Sequence, residues 1–253
     1  MDRAAASSIP GIQGDSTQQR PTQVSFFGGR VWYCGVEESS RSSTVYYSQL
    51  LKDLTKAGKC YQEQDPTAED LNELLDTDGG TVEIPEMGKV YKMISWQAQL
   101  LFFASNGVWA VAASPDEGFT PSSFAIKRIT NIGAIGPKTV IDINGAVSYW
   151  ADDGIYLLSA NESGTDLVAK NITEDKINDT YQAISALARQ QATAFYDRES
   201  NKLIWAYTDD PTNLPNTGTT FPYQYDKFLF LDLRLGAFYP YAISHLTGQT
   251  QIP

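Results

Sequence analysis

One stretch of the sequence decides the fold class: Leu100-Leu-Phe-Phe-Ala-Ser-Asn-Gly-Val-Trp-Ala-Val111. Two runs of apolar and aromatic residues flank Ser105, Asn106 and Gly107, and turn residues between such runs are typical of an antiparallel β-hairpin. The apolar residues occupy consecutive positions instead of alternating with polar ones, which indicates strands that are buried on both faces. Strands of this kind occur where sheets stack on one another, as the blades of a propeller do.

The same pattern recurs along the chain at a regular spacing. The distance is 47 residues from turn residue Asn106 to Asp153 and 47 again to Ser200, and the next turn, at Gly236, follows after 36. Four-stranded propeller blades repeat every roughly 40 to 50 residues. We therefore predict a mainly β fold, a β-propeller of four-stranded blades over residues 24–253. A two-sheet sandwich is the alternative, but it does not require equal spacing. The other predicted hairpins join 30–34 to 44–47, 147–150 to 155–158, 192–196 to 203–207, and 228–231 to 237–239.

Three segments depart from the repeat. Residues 1–23 are rich in Ala, Ser, Gly, Gln and Pro without an apolar period, which is typical of a flexible or docking N-terminal arm. Residues 52–86 form an acidic insertion, in which Thr67-Ala-Glu-Asp70 matches a capping box before leucines at helical spacing. We expect this insertion to be helical and to lie between blades, so that its removal leaves the propeller folded. A second inserted helix is predicted from an apolar stripe: Ile177, Tyr181, Ile184 and Ala188.

Acidic residues outnumber basic ones, and the excess is concentrated in one place. The 253 residues include 30 Asp and Glu against 19 Lys and Arg, for a net charge of −11. This balance argues against a surface that binds duplex DNA or an anionic membrane, because both depend on clustered cationic side chains. Residues 52–86 alone carry ten acids and three bases. They form either a solvated helix with its loops, or a surface that faces a channel through which DNA slides.

The sequence offers few residues for covalent or metal chemistry. Cys34 and Cys60 are the only thiols, which we expect to be reduced and separate, and His245 is the only imidazole. Asp76-Thr-Asp-Gly-Gly80 resembles the start of a calcium loop, but the required glycine and glutamate are replaced by threonine and methionine. Neither a P-loop nor a dinucleotide-binding glycine motif is present. We therefore expect no catalytic, cofactor-binding or metal-binding residues, no cofactor and no enzymatic activity, while any ligand-binding residues stay undefined.

One motif favours a different class of propeller. Ser114-Pro-Asp-Glu-Gly-Phe-Thr120 matches part of the Asp-box turn of sialidase-like propellers, although Pro121 stands where an aromatic residue usually follows. An Asp-box stabilises a hairpin and is not catalytic. A sialidase needs three convergent arginines for the substrate carboxylate, and no spacing among the eight arginines nominates a trio. The alternative function is therefore a carbohydrate-binding or sialidase-like propeller protein, in which exposed Trp and Tyr stack on sugars.

Four motifs occur in a fixed order along the chain: Phe26-Phe-Gly-Gly-Arg-Val-Trp-Tyr33, Thr44-Val-Tyr-Tyr-Ser-Gln49, Asp65-Pro66 leading to Thr77-Asp-Gly-Gly80, and Gln99 through Val111. Their order and spacing resemble those in the propeller region of the tail nozzle proteins of short-tailed bacteriophages, also called tail tubular protein B. The likeness covers residues 24–241. Nozzle proteins are several times longer, so the resemblance implies a short homologue, one piece of a split nozzle, or a related head-to-tail connector part.

The resemblance implies a structural virion protein and not an enzyme. Family members form a six-fold ring at the distal end of the tail, and they contact a tail adaptor protein and the tail fibres or spikes. Genomic DNA passes through the lumen during ejection without specific binding. The implied location is the virion, after synthesis in the host bacterial cytoplasm. We also expect neither a secretory leader nor a membrane-spanning segment, because the longest apolar run, 108–113, is far shorter than the roughly 20 residues of a spanning helix.

We predict that the isolated protein does not retain duplex DNA. Binding measured by fluorescence anisotropy should be negligible at physiological salt and weak even at about 50 mM salt, because few cations are available to displace counterions from the phosphates. A sub-micromolar dissociation constant that weakens steeply with added salt would contradict the hypothesis of a passive conduit.

Overall fold

The computed structural model describes residues 20–62, 74–114, 118–162, 164, 166–209 and 225–243. In these ranges sixteen strands form four antiparallel sheets of four strands each, with few helical residues. The strands of each sheet are neighbours in the order of the sequence, which is the meander of a propeller blade. The predicted fold class, mainly β with four-stranded blades, is confirmed.

Two compact units divide the chain, Met1–Gly133 and Ala134–Pro253. The first unit contains sheets 1 and 2. Sheet 1 is formed by β1 (Gln23–Phe27), β2 (Arg30–Cys34), β3 (Thr44–Tyr47) and β4 (Gly80–Glu83). Sheet 2 is formed by β5 (Val90–Trp96), β6 (Gln99–Ala104), β7 (Gly107–Ala113) and β8 (Phe124–Thr130). Single-turn 3-10 helices at Ser39–Arg41 and Leu54–Lys56 precede and follow β3.

The second unit contains sheets 3 and 4 and two short helices. Sheet 3 is formed by β9 (Ile141–Asp142), β10 (Ala146–Trp150), β11 (Ile155–Ala160) and β12 (Leu167–Asn171). Sheet 4 is formed by β13 (Thr193–Asp197), β14 (Lys202–Tyr207), β15 (Lys227–Asp232) and β16 (Ala237–Ala242). The connection between the two sheets carries α1 (Asn178–Gln182) and α2 (Ala186–Gln191).

All five predicted hairpins are confirmed as antiparallel strand pairs. A further hairpin, β1–β2, turns through Gly28 and Gly29, whose φ values are 56° and 71°. Positive φ at both central residues is the requirement of a tight hairpin turn, and only glycine adopts it without steric cost. At Gly28 a Cβ would also lie 2.8 Å from the Phe119 side chain. The glycine pair therefore fixes both the turn and its close packing.

The regular 47-residue spacing combines two different kinds of hairpin. Asn106 and Asp153 lie in turns between the second and third strands of sheets 2 and 3. Ser200 lies in the turn between the first and second strands of sheet 4. In sheet 4 the second and third strands, β14 and β15, are joined by residues 208–226. The predicted repeat is therefore wrong for its second interval, from Asp153 to Ser200. That interval reflects the length of the helical connection between sheets 3 and 4 and not the blade repeat.

Sheets 1 and 2 share one core with Trp32 at its centre. Trp32 is fully buried, its indole N–H donates to the Phe27 carbonyl oxygen at 3.0 Å, and its ring meets the Phe119 ring edge-on at 4.7 Å. Strand β1 lies against β5, so the first strands of the two sheets are adjacent, as in neighbouring blades. Both sheets contribute apolar side chains: Trp32, Val45, Tyr47 and Val82 from sheet 1, and Met93, Leu100, Phe102, Trp109 and Val111 from sheet 2.

Sheets 3 and 4 share a second core around Trp150 and Trp205. Both side chains are fully buried, and their ring centroids lie 6.0 Å apart. Tyr181, from α1, packs edge-on against Trp150 at 5.1 Å, and its hydroxyl donates to the Ala151 carbonyl oxygen. Strand β9 lies against β13. The short helices therefore complete this core instead of standing apart from it.

The second predicted helix is present but is broken in two. Residues 183–185 separate α1 from α2, and the Ser185 hydroxyl caps α2 by accepting a hydrogen bond from the Ala188 backbone N–H at 3.3 Å. Serine favours this position because its oxygen satisfies a helix N–H that has no intrahelical partner. The stripe itself is confirmed as a packing face, since Tyr181, Ile184 and Ala188 are buried.

The prediction that residues 52–86 lie between blades is wrong. Strand β4 lies inside this range and pairs with β3. The segment therefore contains the fourth strand of sheet 1 and the connection that leads to it from the third strand. Removing the whole insertion would delete an edge strand of sheet 1. The helix predicted from Thr67 lies outside the described residues except at Leu74 and Leu75, which are not helical. The arm predicted over 1–23 also lies outside them, apart from residues 20–23.

A buried arginine holds the base of the insertion in place. Arg30 is fully buried, and its guanidinium donates to the Ser48 carbonyl oxygen at 2.8 Å and to the carbonyl oxygens of Asp76 and Asp78. The guanidinium carbon lies 5.6 Å from the centroid of the Tyr47 ring. Burial lowers the pKa of Arg30, and the neighbouring acidic groups oppose that shift. One side chain therefore ties β2 to the turn before β4.

We predict that Arg30→Met lowers the free energy of unfolding by about 3 to 5 kcal/mol, because three carbonyl oxygens, two of them in buried bonds, lose their charged donor. Urea unfolding followed by tryptophan fluorescence measures the change. Arg234→Met is the matched control: Arg234 is exposed and donates to the Ser200 carbonyl oxygen at 3.3 Å, so its loss should cost less than about 1 kcal/mol. Equal losses in the two variants would show that the Arg30 contacts do not hold sheet 1 together.

Candidate functional site

Sheet 4 buries only one of its two faces. Strands β6 and β7 are buried at nearly every position, as their consecutive apolar residues predict. In sheet 4, Leu203, Trp205 and Leu229 belong to the second core, while the residues between them face outward. The prediction of strands buried on both faces is therefore wrong for sheet 4.

The outward residues of sheet 4 are mostly aromatic and stand in register. Residues paired across adjacent strands place their side chains on the same side of the sheet. The pairing produces two rows: Phe195, Ile204, Phe230 and Tyr239 in the first, and Thr193, Ala206, Phe228 and Tyr241 in the second. We name the large residues of both rows the aromatic face: Phe195, Ile204, Phe228, Phe230, Tyr239 and Tyr241.

The aromatic face is accessible to solvent. Phe195 is 51% exposed, Tyr239 is 49% exposed and Tyr241 is 40% exposed. The Phe228 ring centroid lies 6.3 Å from that of Phe230 and 6.4 Å from that of Tyr241, so the rings are contiguous. Contiguous apolar surface on a soluble protein marks a site of interaction. This surface is the candidate functional site.

The polar groups at the turn end of this sheet are already engaged. The Asp197 carboxylate accepts hydrogen bonds from the Ser200 hydroxyl and from the Glu199 N–H, and these bonds lower its pKa. The Asp232 carboxylate accepts from the Leu235 N–H at 3.2 Å and the Arg234 N–H at 2.9 Å, with the same effect on its pKa. Both aspartates therefore close turns, and the apolar rings remain as the groups able to contact a partner.

Sheet 1 carries a smaller apolar surface on the side away from its core. Val24 is 65% exposed and Phe26 is 59% exposed, and Phe26 pairs with Val31 across the β1–β2 hairpin. We name Val24, Phe26 and Val31 the β1 face. Further along the sheet the same side is covered, because the Tyr33 hydroxyl donates to the Ala57 carbonyl oxygen at 2.9 Å and Tyr33 packs on a buried cluster that includes Cys60.

Among the arginines that the structure describes, four stabilise turns, and each turn belongs to a different sheet. Besides Arg30 in sheet 1, Arg128 donates to the Asn106 carbonyl oxygen at 2.8 Å in sheet 2. Arg189 donates to the Asp152 carbonyl oxygen at 2.5 Å in sheet 3, and Arg234 serves the turn at Ser200 in sheet 4. These side chains bind backbone carbonyl oxygens separately and do not form the convergent trio that a sialidase requires.

A tyrosine cluster closes the turn between β10 and β11. The Tyr156 hydroxyl donates to the Asp153 carboxylate at 2.7 Å, and its ring stacks on that of Tyr149 with centroids 5.6 Å apart. Burial, followed by the hydrogen bond to Asp153, raises the pKa of Tyr156 to about 12. Asn171 donates to the same hydroxyl at 3.4 Å. The cluster therefore stabilises the end of this hairpin.

The remaining residues that sequence analysis singled out have structural surroundings. Cys34 and Cys60 are free thiols, as predicted, and both are buried. Burial raises the pKa of both thiols, to about 12 for Cys60, which leaves them protonated and unreactive. The Asp78 carboxylate accepts from the Leu75 N–H at 3.0 Å within its own turn. His245 lies outside the described residues.

The Asp-box-like turn also has a structural role at the residues that are described. The backbone groups of Ser114 and Gly118 bond to each other at 3.0 and 2.9 Å, and Phe119 enters the first core. Asp116 lies outside the described residues. Among the described residues, no group of three or more His, Cys, Asp and Glu side chains is placed to hold a metal ion. The same ranges contain no helix with the length and apolar character that crossing a bilayer requires.

Sequence analysis did not find the aromatic face, although it identified the strands that carry it. Lys227–Asp232 places apolar residues at consecutive positions, so the sequence does not separate the inward from the outward residues. The separation becomes visible only when Phe230 is paired with Tyr239 and Ile204. One sequence signal for the outward residues was available in strand β16, where Tyr239 and Tyr241 alternate with Phe238 and Pro240.

Comparison with known proteins identifies no family. No protein-family profile matches the sequence, and a search of curated proteins finds no match. Several solved structures are similar in backbone course only. Hsv2 from Kluyveromyces lactis has 9% identity and a TM-score of 0.34, over 88% of this chain and 60% of that one.

Two further structures are similar at the same level. A putative exported protein from Bacteroides fragilis has 11% identity and a TM-score of 0.35, over 87% of this chain and 58% of that one. A nidogen/laminin complex has 11% identity and a TM-score of 0.36, over 87% and 79%. The chain spans about three fifths of the first two structures. A likeness at these TM-scores assigns neither a family nor a function.

We predict that stability falls between pH 10 and pH 12, in part because of Tyr156. Its folded pKa of about 12 exceeds the unfolded value of about 10, so its stabilising contribution is complete below pH 10 and is lost as the pH rises through 12. Tyr156→Phe should cost about 1 kcal/mol at pH 8 and flatten this decline. Urea unfolding at pH 8, 10 and 11 measures both effects, with the exposed Tyr241→Phe as control. An unchanged pH profile in Tyr156→Phe would refute the assignment.

Proposed function

We propose that this protein is a structural virion component, part of a phage tail nozzle or head-to-tail tube ring through which DNA is ejected. In this proposal it acts by shape and contact and not by catalysis. Its partners are further copies of itself in a ring, a tail adaptor protein, and tail fibres or spikes. DNA passes the ring without specific binding.

The observation that carries the proposal is the way in which the nozzle-like motifs meet in space. Arg30, in the first motif, donates to Ser48 in the second and to Asp78 in the third. The fourth motif forms the β6–β7 hairpin, whose Leu100 and Trp109 pack in the same core as Trp32. Motifs that are separated in sequence are thus parts of one packed arrangement, which supports a common structural origin over four chance hairpins.

The use of the polar side chains also supports a structural role. The buried guanidinium, the turn-closing aspartates and the tyrosine cluster all bind backbone or neighbouring turn groups. An enzyme needs a nucleophile, a base and an orienting group around an accessible space. The polar groups described above instead stabilise hairpin turns, which is consistent with a protein that functions through its shape.

The carbohydrate-binding alternative receives less support. It relies on exposed tryptophan and tyrosine rings, and all five tryptophans are buried. The four arginines that donate to turns bind the turns of four separate sheets, so they do not form a carboxylate-binding trio. The exposed tyrosines of the aromatic face are accompanied by phenylalanine, which offers a sugar no hydroxyl for hydrogen bonding. We therefore retain the structural function as the proposal.

Quantitative mass spectrometry of purified phage particles tests this function. The protein should be present at a fixed copy number per particle, a multiple of the ring symmetry, and should be released only when the tail dissociates. Absence from purified particles would overturn the proposal.

We further predict that residues 63–73 contribute a contact needed for assembly. Replacing them with a Gly-Ser segment of equal length should leave the fold intact, because β4, the Arg30 acceptors and the bond from the Gly79 N–H to the Tyr61 carbonyl oxygen are retained. Thermal unfolding checks the fold, and mass spectrometry of particles should show the variant depleted at least tenfold. The same replacement of residues 212–222 is the control. Normal incorporation of the 63–73 variant would contradict the contact.

A further inference from the structure

We propose that the aromatic face of sheet 4 docks on the β1 face of a second copy of this chain. The choice of a second copy rests on the proposed function, since a ring is built from contacts between two different surfaces of identical subunits. The contact itself is argued from the exposed residues of the two sheets.

Each of the two sheets has one apolar side that its own unit does not cover. Sheet 1 buries Trp32 and Tyr47 against sheet 2, and its opposite side exposes Val24 and Phe26. Sheet 4 buries Trp205 against sheet 3, and its opposite side exposes the aromatic face. These are the first and last sheets in chain order.

The blade arrangement makes the two exposed sides suitable for each other. Blades are related by rotation about a common axis, so a blade contacts the next one through one face and the preceding one through the opposite face. Within the first unit, sheet 1 precedes sheet 2 and keeps the face that would receive a preceding blade. Within the second unit, sheet 4 follows sheet 3 and keeps the face that would receive a following one. Contact between sheet 4 of one copy and sheet 1 of another continues the stacking that forms both cores.

The size of the surfaces predicts a weak contact between isolated subunits. A face of four strands about 4.8 Å apart, with six residues rising about 3.3 Å each, covers about 400 Å². Two such faces bury at most about 800 Å², below the roughly 1,200 Å² at which stable complexes begin. The exposed rings, each half accessible, supply its apolar centre. We therefore expect free protein to associate weakly, with a dissociation constant of about 10 to 100 μM.

A head-to-tail contact covers both the aromatic face and the β1 face, whereas a symmetric one covers only the aromatic face. If the aromatic face met the same face of a second copy, Val24 at 65% exposure and Phe26 at 59% would stay in water. The two modes differ in which substitutions weaken them. Phe26→Glu disrupts only the head-to-tail contact, and Phe195→Glu disrupts both.

Sedimentation equilibrium of the full chain tests the contact between about 10 and 300 μM. The wild type should show a weight-average mass that rises with concentration beyond that of a dimer. Phe195→Glu and Phe26→Glu should each stay monomeric, because each loses one of the two faces. An equimolar mixture of the two variants should form a dimer and nothing larger, since only one intact pair of faces remains.

Leu235→Glu is the matched control, because Leu235 is 72% exposed but lies in the β15–β16 turn, outside the aromatic face. It should associate like the wild type. Urea unfolding confirms that each variant is folded, and Tyr239→Glu and Val24→Glu replace any variant that is not. A wild type that stays monomeric at 300 μM overturns the proposal, as does a Phe26→Glu variant that associates normally. Detection of the protein in particles is independent of this result, so failure of the contact and failure of the proposed function are distinguishable.

Discussion

Burial of a sheet face against a second sheet is the constraint on which this structure depends. A four-stranded sheet cannot exclude water from its own apolar face, and here two sheets share each core. Trp32 fills the centre of one core, and Trp150 and Trp205 fill the other. The order of strands, the adjacency of β1 with β5 and of β9 with β13, and the closure of the turns all serve this stacking. The exposed sides of sheets 1 and 4 follow from it, because each lies opposite the side that the sheet buries within its own unit.

The turns at the hairpin ends impose a second constraint, because many of their backbone carbonyl oxygens have no hydrogen-bond partner within the sheet. The protein meets it with side chains that carry charge. Arg30, Arg128 and Arg189 each donate to carbonyl oxygens of a different sheet, and Asp197 and Asp232 accept from turn N–H groups. Such bonds involve an ionised group and are stronger than neutral ones. Residue types that enzymes place in active sites are thus used here to fix turns, which is why composition alone gave no indication of their role.

The sequence predicted what depends on local pattern and missed what depends on distant pairing. Hairpins such as β6–β7 were identified because a turn and two apolar runs lie within about a dozen residues. The place of β4 was missed because it pairs with β3 across the whole insertion. The break between α1 and α2 depends on a single capping serine within a continuous apolar stripe. The aromatic face could not be inferred, since Phe228 and Phe230 look like core residues until Leu229 and Leu231 are seen to fill the core.

A weak contact between two different faces is compatible with a stable assembly once a ring closes. Subunits joined in an open row of n copies form one contact fewer than n, and closure adds the last contact without bringing in another subunit. That closing step is intramolecular, so its effective concentration far exceeds that of free subunits. The net charge of −11 opposes the first encounters between copies at long range, while the apolar faces act only at contact. In the proposed ring, free subunits at low concentration stay dispersed, and closure lets all of the contacts hold the assembly together, which suits a part that assembles at one place on a particle.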